Sequence, residues 1–304
     1  MLMVVDIKEK FPVPVRPAST VVLVREQERE LQVYLLRRST KSGFFPGSYV
    51  FPGGALNPEE WDVAFWQQHI DLPPEDLLKT FDSGLDIEGI IAYGVAAIRE
   101  TFEEAGVFLA QKKNHGNGSF RRINERPSTE ELDEGWFRRR ILDEDWMLSF
   151  SNLFRWSHWI TPEVMPKRFD TRFFVAFMPE DQECIPDDRE TVHGLWVSPG
   201  EGLQRNLHGE IPLSPPTLVT LHELLKFGTM DSLSKATRSR SWGDPLQPIH
   251  IKLDEGAVIV EPWDLYYGKP IEIDPDGLAR KVIPAGEPFS RLWLNQGIWR
   301  PVRI

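Results

Sequence analysis

From Ile87 to Ala105 the chain carries a helical repeat whose two sides have opposite chemistry. At about 100° per residue, Ile91, Val95, Ile98, Phe102 and Ala105 fall within one arc, and Glu100, Glu103 and Glu104 cluster on the other side. Gly106 stands where a helix wants a left-handed C-terminal residue. Such a helix has to lay its apolar arc on another layer of structure and leave its acidic side at an edge. Three carboxylates within two turns repel, each close pair costing a few tenths of a kcal/mol on an exposed helix. A cation relieves that cost. Carboxylates are hard ligands suited to Mg²⁺, which is typically shared between a few of them and a substrate's phosphates. Taken alone, the triplet also fits an ordinary amphipathic helix with a solvated acidic face.

The segments on either side give the helix something to pack on. Thr20 to Val24 and Leu31 to Leu36 are β-rich runs flanking the charged stretch Arg25 to Glu30, which reads as a hairpin. Ser42 to Gly54 has Pro and Gly spaced for tight turns around a short strand, Tyr49 to Phe51. Asn57 can cap a helix running to about His69, and Asp71 to Phe81 offers a second helical start. Gln111 to Arg126 reads as a loop, and Ser128 to Glu131 as a capping box. Strands resume near Trp156 and recur at Arg172 to Met178 and Gly194 to Val197, and Pro215 opens an amphipathic helix ending at Gly228. Residues 232–304 are polar, rich in Pro and Gly, and punctuated by short strands such as Ala257 to Val260.

Arg99-Glu-Thr-Phe-Glu-Glu-Ala-Gly-Val107 resembles the second half of the Nudix box, Arg-Glu-U-x-Glu-Glu-x-Gly-U with U apolar, and Phe51-Pro-Gly-Gly54 resembles the strand and turn before it. Thr101 departs from the apolar preference at its position. The resemblance implies an α/β (α+β) fold, a Nudix αβα sandwich with a mixed sheet, and Mg²⁺-dependent hydrolysis of a diphosphate linkage, with Mn²⁺ as a possible substitute. Carried over residue by residue, it makes Glu100, Glu103 and Glu104 the metal ligands, with Gly54 lending its carbonyl and Arg99 orienting a carboxylate. The catalytic set expected on this basis is Arg99, Glu100, Glu103 and Glu104 together with a general base. Glu163 and Glu190, each in or near a loop before a strand, are the candidates for that base, and Glu190 is carried forward.

The box is split. The family spacing leaves seven residues between a glutamate and the Arg, whereas 38 residues separate Glu60 from Arg99. Glu60, Asp86 and Glu88 all remain candidates for that first glutamate. The insertion, residues 57–88, resembles the branch of peroxisomal coenzyme A diphosphatases and their bacterial relatives, as do Trp159-Ile-Thr-Pro-Glu163 and Arg168-Phe-Asp-Thr-Arg-Phe-Phe174. A coenzyme A pattern that precedes the box in this branch is matched at Arg38, Ser39, Gly47 and Phe51 to Gly54. It is not matched at Leu36, where a Thr is expected, or at Gly43, where a second Arg is expected. The expected division is a Nudix domain over residues 1–230 and a β-rich extension, 231–304, packed on it.

A diphosphate needs local cations in a chain of net charge −11. Arg38 and Lys41 lie just before the Phe44 turn, Arg172 lies in a second basic cluster, and Phe44 can wall an apolar group, so these four are the expected substrate contacts. Arg37 and Arg38 point to opposite faces of a strand, so only one of them can face the site. The same acidity argues against general nucleic-acid binding. No run is long enough to span a bilayer, the first residues carry charge where a signal peptide needs an apolar core, and Cys184 is the single cysteine. The expectation is a cytoplasmic enzyme, a candidate homodimer, acting on a small nucleotide diphosphate without nucleic-acid or membrane partners. Coenzyme A or acyl-coenzyme A leads the substrates. ADP-ribose or another nucleoside-diphosphate derivative is the alternative in the same class, and a catalytically silent nucleotide-sensing Nudix module the alternative in another.

Overall fold

The structure, a computed structural model, describes residues 3–5, 13–81, 84–113, 135–187 and 191–303. The β-branched and aliphatic runs near the start form β2 (Val15–Gln27) and β3 (Glu30–Arg38), after a short β1 (Met3–Val5). Glu28 and Arg29, both at positive φ, turn the hairpin, so its strands reach further than the two apolar runs alone indicate. The Pro/Gly segment supplies β4 (Tyr49–Val50) and β5 (Gly53–Ala55), which pair with β3 and β2 respectively.

The insertion is helical but broken. Pro58–Trp61 is a single 3-10 turn, Asp62 accepts from the Phe65 N–H to start α1 (Val63–Trp66), and α2 (Pro74–Phe81) follows. The helix that was expected to run to about His69 therefore stops and restarts. Next comes α3 (Ile87–Ala105), capped by the Asp86 carboxylate on the Gly89 N–H and closed by Gly106 at φ 71°. Most of α3 is buried, not one side of it, because α1, α2 and the Pro58–Trp61 turn pack against it as well as the sheet. Thr101 fits this buried setting by donating its hydroxyl to the Ala97 carbonyl, 2.7 Å away.

After β6 (Ala110–Lys112), the Ser128 to Glu131 capping box lies outside the described residues, and the chain is next described entering α4 (Trp136–Asp143) and β7 (Trp146–Leu148). The main sheet is completed by β8 (Phe154–Ile160), β9 (Arg168–Phe177) and β10 (Thr191–Val197). Its order is β10-β3-β2-β9-β8. The β2–β9 pairing is parallel and the other pairings are antiparallel, giving a mixed sheet. One face packs on α3 through a core that includes Leu23, Ile98, Phe102 and Phe174.

The opposite face is covered by α5 (Pro199–Leu207), α6 (Pro215–Leu224) and α7 (Met230–Ser239), and by part of a second sheet. α6 is buried on nearly every side, so it is not the amphipathic helix expected from its sequence, and α7 lies where only polar extension was read. The second sheet, ordered β11-β12-β14-β15, comprises β11 (Ile249–Lys252), β12 (Ala257–Val260), β14 (Arg291–Asn295) and β15 (Ile298–Val302), while β13 (Ile271–Ile273) pairs with β1. Strand alternation sorts its side chains. Ala257, Ile259, Leu292 and Trp299 enter the same core as Trp159 and Phe173 of the main sheet, and Ile251, Val258, Val260 and Val302 form a separate cluster with Ile271 and Ile273. Among the described residues, no helix is long and apolar enough to cross a membrane.

Candidate active site

At the edge of the main sheet, β5 brings Gly53 and Gly54 against the last turns of α3. A Cβ added at Gly54 would lie 2.5 Å from Glu100 Oε1, so only glycine lets the strand and the carboxylate approach this closely. The Gly53 N–H donates to Glu104 Oε2 at 2.9 Å, fixing that glutamate to the strand.

Arg99 lies at the centre of this edge, 3 % exposed. Its Nε donates to Glu60 Oε1 at 2.6 Å, its Nη1 to Glu100 Oε1 at 2.7 Å and Glu103 Oε2 at 2.8 Å, and its Nη2 to the Ala55 carbonyl at 3.0 Å. Burial works against the guanidinium's charge, but the carboxylates of Glu100, Glu60 and Glu103 raise its pKa. Among the three candidates for the first glutamate of the box, Glu60 therefore faces Arg99. Asp86 caps the far end of α3, and Glu88 lies in that same first turn. Glu60 also accepts from the Asn57 N–H at 2.6 Å, which ties the start of the insertion to the same centre.

One guanidinium is shared by three carboxylates, and the balance shows in their protonation. Burial pushes Glu60 up to about 7 despite the pull of Arg99. It pushes Glu103 to about 7 as well, with Arg99 opposing and the charge of Glu100 adding to the rise. Trp136 Nε1 donates to Glu103 Oε1 at 3.0 Å, a contact with no signature in sequence because Trp136 belongs to a helix that also buries its ring in the core.

As a donor set for a hard divalent cation this cluster fits in chemistry and in charge. In geometry the carboxylates are held by Arg99, Trp136 and Gly53, and among the described residues no three acidic, His or Cys side chains are arranged to hold a metal ion. Arg99 takes Glu100 through Oε1 and Glu103 through Oε2, and Trp136 takes the other Glu103 oxygen.

The edge opens into a cleft of about 470 Å³. Glu100, Glu103, Arg16 and Arg38 are its charged lining residues, and Glu104, fixed to Gly53, is not among them. Arg38 Nε donates to Ser42 Oγ at 3.0 Å, which keeps the guanidinium beside the Phe44 turn. Phe44 lines the cleft and meets Phe169 edge-on, with ring centres 5.4 Å apart. Arg37 turns away to the Gly47 carbonyl, as strand alternation requires.

The remaining expected residues are placed elsewhere. Lys41 is exposed in the Ser39–Ser42 turn and does not line the cleft. Arg172 lies on the other face of β9 from Thr171, buried near Tyr93 and Trp242, so the structure does not bring it to the cleft. Glu163 accepts from Gln247 at 3.2 Å and is outside the cleft lining, and Glu190 lies outside the described residues. What sequence reasoning missed is the far wall, built from Ser214 and Thr217 at the start of α6 and from His250, Ile259 and Trp299 of the second sheet. The alternating apolar pattern of β12 marks a strand, but nothing local to it says which layer it faces.

A mixed sheet between helical layers, with a glycine turn and a glutamate-bearing helix meeting at its edge, defines a Nudix hydrolase. The family profile described as the NUDT19 Nudix domain matches residues 12–224, and the chain belongs to that family. Among its curated relatives, the acyl-coenzyme A diphosphatase NUDT19 of Xenopus laevis is 27% identical over 302 residues, covering 86% of this chain and 78% of the relative. The Homo sapiens protein of that name is 29% identical over 278 residues, covering 78% and 72%. In structure, a Nudix hydrolase from Alicyclobacillus acidocaldarius superposes with a TM-score of 0.58 at 23% identity, over 76% of this chain and 99% of that one, which bears out the fold.

Proposed function

We propose that this hydrolase cleaves the diphosphate of coenzyme A or an acyl-coenzyme A with Mg²⁺ at the Glu100, Glu103 and Glu104 edge, Mn²⁺ being a possible substitute. The observation that carries the reading is that the cleft beside that acidic edge is lined by both Glu100 and Glu103 and the cations Arg16 and Arg38. The names borne by the curated relatives support the choice of coenzyme A. What such an ion supplies is charge against the diphosphate and a more acidic attacking water. Arg16 and Arg38 are suited to hold phosphate oxygens, and Arg99 keeps Glu100 and Glu103 in register on α3. Water attacks one phosphorus, the bridging P–O bond breaks, and the products are adenosine bisphosphate and the phosphopantetheine arm. The general base is not assigned to a described residue.

The small-molecule substrate and the acidic surface support a cytoplasmic enzyme without nucleic-acid partners, and a homodimer is compatible with both. The test is product analysis by mass spectrometry on coenzyme A, acyl-coenzyme A, ADP-ribose and dinucleotides with added Mg²⁺. Cleavage of the coenzyme A substrates is expected, and their survival beside cleaved ADP-ribose refutes the reading. Glu103→Gln and Glu104→Gln are expected to lose most turnover with unchanged circular dichroism, and unaltered rates in both variants remove the metal assignment.

A further inference from the structure

The cleft has two unlike halves. Its charged residues, Arg16, Arg38, Glu100 and Glu103, belong to β2, β3 and α3, all within the matched family region. Part of its far wall, Pro248, His250, Ile259 and Trp299, comes from the second sheet and the residue leading into it, which that region does not include, and the rest, Ser214 and Thr217, from the start of α6. The register spaces Arg16 from the strand that leads to the second sheet. Arg16 on β2 lies opposite Phe169 on β9, and Ala18 lies opposite Thr171, which in turn pairs with Trp159 on β8. Trp159 is thus two strand spacings, about 10 Å, from β2. Beyond it the chain continues the layer, because Ile160 donates its N–H to the Leu246 carbonyl just before Pro248.

This far wall is fixed, not draped. Asn206, 1 % exposed, donates through Nδ2 to the Trp299 carbonyl at 2.8 Å and accepts from the Leu213 N–H at 3.0 Å, joining β15 to the start of α6. Ser214 and Thr217 hydrogen-bond to each other at 2.8 Å. His250 pairs with Ile259 across the sheet and its ring meets Trp299 edge-on, while burial lowers its pKa and keeps it neutral. No lining residue of this half is charged at neutral pH.

Resting on the proposed coenzyme A reading, we propose that this second-sheet compartment takes the acyl-pantetheine arm of the substrate, with Ile259 and Trp299 setting acyl preference. The adenosine bisphosphate half carries phosphate charge at both ends, and Arg16 and Arg38 are the cations lining the cleft, both on strands of the main sheet and neither on the second sheet. An uncharged arm with a hydrocarbon end loses nothing by entering a wall of indole, isoleucine and proline. Each methylene it buries there is worth about fourfold in affinity.

The test reads binding directly, so it does not depend on turnover. Calorimetric titration of the full chain uses octanoyl-phosphopantetheine and adenosine bisphosphate as separate probes. Ile259→Phe fills the compartment without opening a cavity, and Trp299→Ala removes its roof, with thermal melts confirming that each variant is folded. The expected result is that octanoyl-phosphopantetheine binds the unaltered protein and weakens about tenfold or more in Ile259→Phe, while adenosine bisphosphate affinity shifts less than about twofold. In folded Trp299→Ala the kcat/KM ratio of octanoyl-coenzyme A to coenzyme A falls in the same direction. If adenosine bisphosphate is the probe that weakens, or octanoyl-phosphopantetheine binds the unaltered protein and Ile259→Phe equally, or it does not bind at all, the inference fails. Failure of the coenzyme A reading itself shows separately, as uncleaved substrate with the unaltered protein.

Discussion

Arg99 is the residue through which the two halves of the split box communicate. Its contact with Glu103 was legible because a four-residue spacing brings side chains together on any helix, whereas the one with Glu100, the next residue, was not. Glu60 was not separable from Asp86 and Glu88, since 38 intervening residues leave pairing to the tertiary fold. Removing Glu60 leaves the buried Arg99 Nε without its acceptor, while Glu100 and Glu103 still balance the charge. Glu60→Ala is therefore expected to cost on the order of 3 kcal/mol in urea denaturation, and a change below 1 kcal/mol, roughly, means that Arg99 is held well enough without it. A second buried carboxylate behaves differently. Glu261, beyond β12, is fully buried, and burial raises its pKa to about 8. The folded protein thus keeps this proton at pH values where the unfolded chain, at about 4.5, has released it. Because the folded state binds more protons in that window, stability is expected to fall as pH rises from about 4.5 to about 8 and to level off above. Melting temperatures across this range should fall less for Glu261→Gln than for the unaltered protein, and parallel curves count against the assignment.

At the level of elements, α3 was the most legible part of the fold, since its start, its C-terminal glycine and its acidic positions are all encoded within one continuous stretch. Its burial on several sides was not legible, because α1, α2 and α4 arrive from segments whose own patterns are short. The approach of β5 to α3 shows how a local motif becomes a geometric one. Gly54→Ala is expected to push Glu100 off Arg99 and lower turnover by about a hundredfold, with little change in melting temperature, since a misplacement of an ångström is enough to spoil a reacting geometry. Turnover within about twofold of the unaltered enzyme shows instead that Glu100 can move without consequence.

Across the whole molecule, the mixed sheet and its helical layers were readable from the Nudix-like box and the strand patterns, but the function of residues 231–304 was not. Their strands are short, and nothing in a period of two says that Ile259 and Trp299 will face the cleft while Val258 and Val260 face away. The second sheet shares one hydrophobic core with Trp159 and Phe173 of the main sheet, so the two should unfold together. Differential scanning calorimetry is expected to show a single transition, and two resolved transitions indicate independent units.

The position of Trp299 also orders events during synthesis. Arg16, Arg38 and the acidic edge emerge from the ribosome well before the strand that carries this indole, and β2 itself must wait for β9 before it gains its parallel neighbour. Until β15 is in place, the nascent protein has a trough that lacks the wall carrying this indole. Translation that stops short of this strand therefore leaves an acidic edge without the wall that faces it.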